Sequence, residues 1–468
     1  MIVDVIDAGP AGREPMVWRH GYQSWSPSGW ARLGVDVDPS AVGKPISLVR
    51  SMHHANPAPV DDPFTLRSEQ VVCVRGDDGA TKVFGFDAGT EHDGTFRVRV
   101  RDGRIEVAVE AHLDGGQAPL HRVGAFASLD EWAATQPGRT SAPYQVGWCS
   151  WYHWFHSISE DALRRQLELA IDWPFDVFQL DDGFQAHVGD WLETNDKFSS
   201  SMPGLATMIR DAGRTPGIWL APFLASPSSR VAREHPDWLV QHEPTGRPLM
   251  GGYNDEWGGL VGVLDTTRED VLDHLAGVAR ALVDMGFPYL KLDFTYAPSI
   301  PGAYADPTRT PAQRVRAGIA AIRRGAGDGA FLLGCGMPLA QGVGLVDGMR
   351  IGPDVAPWWS PRSQTWEGEG YLAVAPSTES ALHATMARQF MHRRLWLNDP
   401  DCLMLRTTET ELTPRQVQAW ARAVGESGGM ALVSDDLSLL GPESRQLLDE
   451  VIEAGRAADA AAAVTARQ

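Results

Sequence analysis

From Tyr144 onward the chain alternates short apolar runs with amphipathic stretches, and this alternation restricts the fold more than any other feature. Candidate strands lie at 146–151, 177–180, 216–220, 289–292, 331–334, 348–351, 395–398 and 430–433. Helical patterns occupy 160–171, 204–212, 268–285, 311–324, 380–393 and 414–427, with a final one at 442–456. Apolar strands separated by helices specify parallel pairing, and eight such units close a (β/α)8 barrel. That architecture keeps its functional side chains at the C-terminal ends of the strands. Polar and aromatic residues cluster at those ends here: Trp151-Tyr152-His153-Trp154 at the first, Asp181-Asp182 at the second and Asp293 at the fourth.

Residues 1–142 read differently. Short alternating segments at 69–75, 81–87, 95–101 and 104–112 are punctuated by Gly76-Asp77-Asp78-Gly79 and Arg101-Asp102-Gly103, which are hairpin turns. They define an antiparallel, β-sandwich-like domain, with a short helix at 129–136 and a linker at 137–143. The barrel is then expected over 143–456, with an Ala-rich tail at 457–468. A chain of 468 residues is long enough for a barrel and one accessory domain. Two connections, 223–267 and 353–378, are long for a barrel and are expected to act as walls or lids.

A net charge of −19 argues against a nucleic-acid or anionic-membrane partner. No apolar run is long enough to span a bilayer, and the N-terminus lacks a basic stretch followed by an apolar core. Cys73, Cys149, Cys335 and Cys402 form no CxxC pair, so neither disulfides nor a zinc site are expected. The expectation is a cytoplasmic protein with no cofactor and no metal; homo-oligomerisation stays open. His153 and His156 read as loop or core histidines, since no third ligand follows in pattern. Seventeen tryptophans against eight tyrosines is unusual; most are expected to fill the core, and an indole face also suits stacking on sugar rings.

Two aspartates, Asp293 and Asp354, each end an apolar strand and each has a cation upstream, Lys291 and Arg350. Glycoside chemistry needs two carboxyl groups in different states, one ionised and one holding a proton for the leaving oxygen. Lys291 shares a strand face with Asp293, so it is expected to favour the charged form there. Asp181-Asp182 offers acceptors for sugar hydroxyls, and Cys335, between two glycines, is a candidate for the pocket floor.

The runs GYQSW (21–25), GWCSWYHWF (147–155), QLDDGFQ (179–185), PGIWLAPF (216–223), KLDF (291–294), MRIGPDVAPWW (349–359) and WLNDPDC (396–402) resemble bacterial α-galactosidases of glycoside hydrolase family 36. The resemblance extends from about Trp18 to about Leu439 and keeps the family's order. It implies retaining, metal-free hydrolysis of terminal α-galactosyl residues from melibiose- or raffinose-type oligosaccharides. Asp293 would be the nucleophile and Asp354 the general acid/base. Asp181 and Asp182 would bind the 4- and 6-hydroxyls, Lys291 and Arg350 would be polar ligands, and Trp148 and Trp219 apolar walls. Trp25 would close the pocket from the N-terminal domain. Many members of the family carry a C-terminal β-sandwich after the barrel; after the last strand and helix this sequence shows no further alternating segments, so none is expected within it. Alternatives from other classes are a raffinose-synthase-type α-galactosyl transferase, a glycosidase for another α-sugar such as an α-N-acetylgalactosaminide, and a non-catalytic carbohydrate-binding protein.

Overall fold

The computed structural model describes residues 2–38, 62–77, 79–87, 92–111, 113–114, 118–119, 122–362 and 374–466. The N-terminal part forms two antiparallel sheets. One orders Ile2–Pro10, Arg104–Ala111, Gly94–Arg101 and Leu66–Glu69; the other orders Val123–Phe126, Thr81–Phe86, Val71–Arg75, Met16–Arg19 and Gly29–Arg32. Their inner faces share a core of Val17, Val72, Val74 and Phe86 against Leu66, Phe96, Val98 and Val107. The segment expected as one strand over 69–75 is split: Gln70 takes φ 65°, and this left-handed residue turns the chain from the first sheet into the second.

Strand alternation gives the five-stranded sheet a second apolar face. Trp18, Cys73 and Val83, each beside an inward-facing neighbour, belong to the same core as the barrel. The two parts are therefore packed together rather than tethered.

The barrel strands are Val146–Cys149, Val177–Leu180, Thr215–Leu220, Tyr289–Leu292, Phe331–Gly334, Gly348–Arg350, Leu397–Asp399 and Ala431–Val433. All pair in parallel and in chain order, and the first also pairs with the eighth. Between the seventh and eighth the seam is closed by Met430 N–H to Asn398 O at 2.9 Å and Leu403 N–H to Leu432 O at 2.6 Å. The expected (β/α)8 barrel with an N-terminal β domain is the observed fold.

Local chemistry sets the outer helices. Pro311–Ala326 and Pro414–Ser427 both begin with proline after a threonine cap, and Gln313 and Gln416 complete capping boxes. The last helix, Pro442–Thr465, runs unbroken through the expected boundary at 456. Its Asp459 accepts from His392 Nε2 at 2.8 Å and Arg393 Nε at 2.5 Å, which docks the segment expected as a tail.

The connection after strand three builds a three-stranded sheet of Leu224–Ala225, Gly259–Val263 and Met250–Asn254. A hairpin of Gln185–His187 and Asp190–Thr194 follows strand two. Trp366, in the second long connection, lies outside the described residues. Among the described residues no helix is long and apolar enough to cross a membrane.

Candidate active site

The end of strand two supplies two buried carboxylates. Asp181 is anchored by Ser150, whose hydroxyl accepts its backbone N–H at 2.9 Å. Its Oδ2 accepts from Lys291 Nζ at 2.9 Å and Gln179 Nε2 at 2.5 Å, and its Oδ1 accepts the Asp182 N–H at 2.9 Å. Asp182 Oδ1 accepts from Gln185 Nε2 at 2.6 Å. Its Oδ2 lies 2.8 Å from Trp257 Nε1 and 2.9 Å from His156 Nε2. The next residue, Gly183, has φ 118°, and a Cβ there would stand 3.1 Å from the His156 Cα. A glycine is what allows the His156 loop to close onto Asp182.

Lys291 therefore pairs with Asp181, not chiefly with Asp293. Burial works against its charge, but the Asp181 carboxylate outweighs that and holds the ammonium above its ordinary value. Strand four ends at Leu292, so Asp293 is already beyond the alternating backbone that would align it with Lys291. Phe294 takes φ 52°, and this strained turn directs its N–H to Asp293 Oδ1 at 2.8 Å. Trp219 Nε1 donates to the other oxygen at 3.0 Å.

Trp25 reaches this point from the N-terminal domain. Its ring meets Phe294 edge-on at 5.2 Å and Tyr296 at 5.8 Å. Cys335 is fully buried, and burial together with the Asp293 charge pushes its thiol well above the ordinary value.

Asp354 lies on the loop after strand six, and its side chain keeps 30% exposure. Arg350 Nη1 donates to its Oδ1 at 2.9 Å, Nε to Asp399 Oδ2 at 2.9 Å and Nη2 reaches Asp401 Oδ1 at 2.8 Å. Tyr152 donates its hydroxyl to Asp401 Oδ2. The Asp354 carboxyl is pushed up to about 7 by burial, then by the negative charge of Asp401 and, after the opposing Arg350, by that of Asp293. A cavity of about 410 Å³ opens beside it, walled by Trp151, Tyr152, Phe155, Val355, Pro357 and Trp358.

Nine of the ten singled-out residues, Asp181, Asp182, Trp219, Lys291, Asp293, Cys335, Arg350, Asp354 and Trp25, fall at or under the C-terminal mouth. Trp148 is the exception. Cys149 faces the barrel interior, with its Sγ 3.5 Å from Asp181, so Trp148 points to the opposite face. There it is fully buried, stacks on Phe178 at 4.2 Å and donates to Asp435 O at 2.9 Å, which leaves it no face for a sugar.

Sequence reasoning does not single out Gln185 or Trp257, and it reads His156 as a loop or core histidine because no metal pattern surrounds it; its partner is the Asp182 carboxylate. Asp399 and Asp401, which the sequence places at the end of strand seven as a brace of the mouth, hold Arg350. Among the described residues no cluster of His, Cys, Asp or Glu is arranged to hold a metal.

A parallel barrel whose mouth carries an unequal carboxyl pair beside a row of hydroxyl acceptors is the layout of a carbohydrate-active (β/α)8 protein. Comparison with known proteins narrows this. The Melibiase family model matches residues 145–316. The structure of the α-galactosidase TtGalA from Thermus thermophilus with p-nitrophenyl α-D-galactopyranoside is 31% identical, covers 95% of this chain and 87% of that one, and superposes with a TM-score of 0.78. The same enzyme with stachyose gives 30% identity over 96% and 92%, also at 0.78. The family 36 α-galactosidase AgaA from Geobacillus stearothermophilus shares the fold at a TM-score of 0.64 and 15% identity, over 97% of this chain and 62% of that one. As a curated sequence AgaA is 29% identical over 152 residues, 31% of this chain, and the match spans only 20% of AgaA's length. The chain belongs to the α-galactosidases of glycoside hydrolase family 36.

Proposed function

We propose that the chain hydrolyses terminal, non-reducing α-D-galactosyl residues of oligosaccharides by double displacement. The observation that carries this reading is the unequal treatment of two carboxyl groups at one barrel mouth. Burial and the Asp401 charge push the Asp354 carboxyl upward, which favours its protonated form, whereas Asp293 accepts two N–H donors.

Asp293 attacks the anomeric carbon and forms a glycosyl ester while Asp354 gives its proton to the leaving oxygen. Asp354, now ionised, takes a proton from water, which attacks the same carbon and frees the sugar and Asp293. Asp181 and Asp182 accept protons from the ring hydroxyls that distinguish galactose. That AgaA, TtGalA and this chain share a family supports the substrate class; the ligands in the TtGalA structures are a galactoside and stachyose.

The test is a panel of nitrophenyl α-glycosides with NMR of the first-formed product. The expected result is turnover of the α-galactoside and release of the α-anomer. First appearance of the β-anomer, or turnover of another α-sugar only, overturns the reading. Product analysis at high acceptor concentration separates hydrolysis from galactosyl transfer.

A further inference from the structure

Arg388 follows the barrel helix Thr378–Ala387 and is fully buried. Among the described residues its guanidinium meets only carbonyl oxygens: Nη1 donates to Ser24 O at 2.6 Å and Ile351 O at 2.7 Å, Nη2 to Ser26 O at 2.8 Å and Gln23 O at 3.2 Å. Burial pushes it down to about 9, and among the described residues no carboxylate pairs with it. Arginine sites buried for stability normally recruit a counter-charge, because an uncompensated charge in the interior is expensive.

Three of its four acceptors belong to one loop of the N-terminal domain. With the carbonyls of Gln23, Ser24 and Ser26 converging on one cation, the Trp25 side chain in their midst is turned to Phe294 and Tyr296. The fourth acceptor, Ile351, is the residue after strand six and stands three before Asp354. Its backbone N–H is itself fixed to Asp399 O at 3.0 Å, so it is a rigid reference point at the mouth. On the other side of the indole, Gly336 has φ 53°, and a Cβ there would lie 2.8 Å from the Trp25 ring. The ring is thus set from two directions.

We propose that Arg388 is a positioning residue for catalysis, fixing Trp25 against Phe294, the residue next to Asp293, by gathering the carbonyls of its loop against the end of strand six. The inference rests on the α-galactosidase reading for its kinetic consequence, though not for its structural one. Lysine keeps the charge but offers three donors from a single point, so it cannot hold four carbonyls in a planar fork.

The experiment is a double-substitution cycle with Arg388→Lys and Trp25→Ala on the full chain. Arg388→Lys is expected to lower kcat/KM about 10- to 100-fold on the α-galactoside, the effect of a displaced contact. In the Trp25→Ala background it should change kcat/KM by less than about 2-fold, because the ring it places is gone. Equal losses in both backgrounds overturn the proposal. Gly336→Ala leaves Arg388 intact and covers the case in which Arg388→Lys fails to fold; its Cβ would lie 2.8 Å from the Trp25 ring and 3.1 Å from the Phe294 nitrogen, so it is judged by the Trp25 signal below, which should shift, and an unmoved signal counts against the proposal. Fluorine NMR of fluorotryptophan-labelled protein, with Trp25 assigned through Trp25→Phe, gives a readout free of turnover. The Trp25 signal should move or broaden in Arg388→Lys or Gly336→Ala; an unmoved signal overturns the proposal. A wild-type chain inactive on α-galactosides would refute the functional reading, and the fluorine measurement would then decide this one.

Discussion

Arg350 holds Asp354 at 2.9 Å through Nη1 while its remaining nitrogens are taken by Asp399 and Asp401. A cation shared among three carboxylates neutralises none of them fully, so Asp354 keeps a proton that a private ion pair would remove. We expect kcat/KM to fall as pH rises through about 7, the value to which Asp354 is pushed, because the acid step needs the protonated form. Asp401→Asn removes a negative neighbour and frees Arg350 to act on Asp354; both changes lower the Asp354 pKa. The alkaline limb of the pH profile should therefore move to lower pH. A limb that stays in place would show that Asp401 does not tune the acid.

The barrel was legible because period and punctuation survive in a buried parallel sheet: most strands are short, largely apolar runs, and the second, fourth and sixth are followed by carboxylates. Asp293, Asp354, Asp181 and Asp182 could be singled out for the same reason, since each terminates such a run. The contacts between them were not. Alternation would set Lys291 on one face with Asp293, yet strand four ends at Leu292 and the ammonium reaches past strand three to Asp181, a choice made by three-dimensional reach. Trp148 sits next to Cys149 in sequence, and period two alone could not say which of the pair faces the axis. His156 and Trp257 converge on Asp182 from different connections, and nothing in either local pattern encodes that meeting.

Removing the nucleophile should separate it from the acid. Asp293→Gly is expected to lose about 10⁴-fold or more in kcat, since groups acting as a unit leave little when one is removed. Azide should then restore turnover of an activated α-galactoside and yield the β-galactosyl azide, because one displacement inverts the centre. If Asp354→Gly gives the β-azide and Asp293→Gly does not, the roles are exchanged.

Cys73, Cys149, Cys335 and Cys402 are all free and buried. The thiolate is the reactive form, and burial raises the thiols of Cys73, to about 11, and of Cys335. Iodoacetamide near neutral pH should leave native activity within about 2-fold over an hour-scale exposure, whereas denaturant should expose all four thiols to it. Rapid inactivation of the native protein, prevented by galactose, would instead mean that Cys335 is open to the pocket.

Selectivity for galactose should depend on how few acceptors Asp182 has left. A carboxylate offers about four lone-pair sites. Gln185, His156 and Trp257 already use three on Asp182, so a single hydroxyl proton completes the set. The axial 4-hydroxyl of galactose lies close to its 6-hydroxyl, and glucose, with an equatorial 4-hydroxyl, would leave a buried acceptor unpaired. Such a mismatch can cost up to about 10⁴-fold in kcat/KM, and we expect α-galactosides to be preferred over α-glucosides on that scale. Asp182→Asn keeps the shape but replaces one acceptor oxygen with an N–H₂ group facing donors, so it should lose most activity while its circular dichroism stays native. His156→Ala should act more mildly: it frees one acceptor site and lets Asp182 turn, which raises KM about 10-fold and narrows the preference for galactose. Comparable turnover of the two sugars by the wild type, or an Asp182→Asn variant with near-normal kinetics, would remove Asp182 from the recognition site.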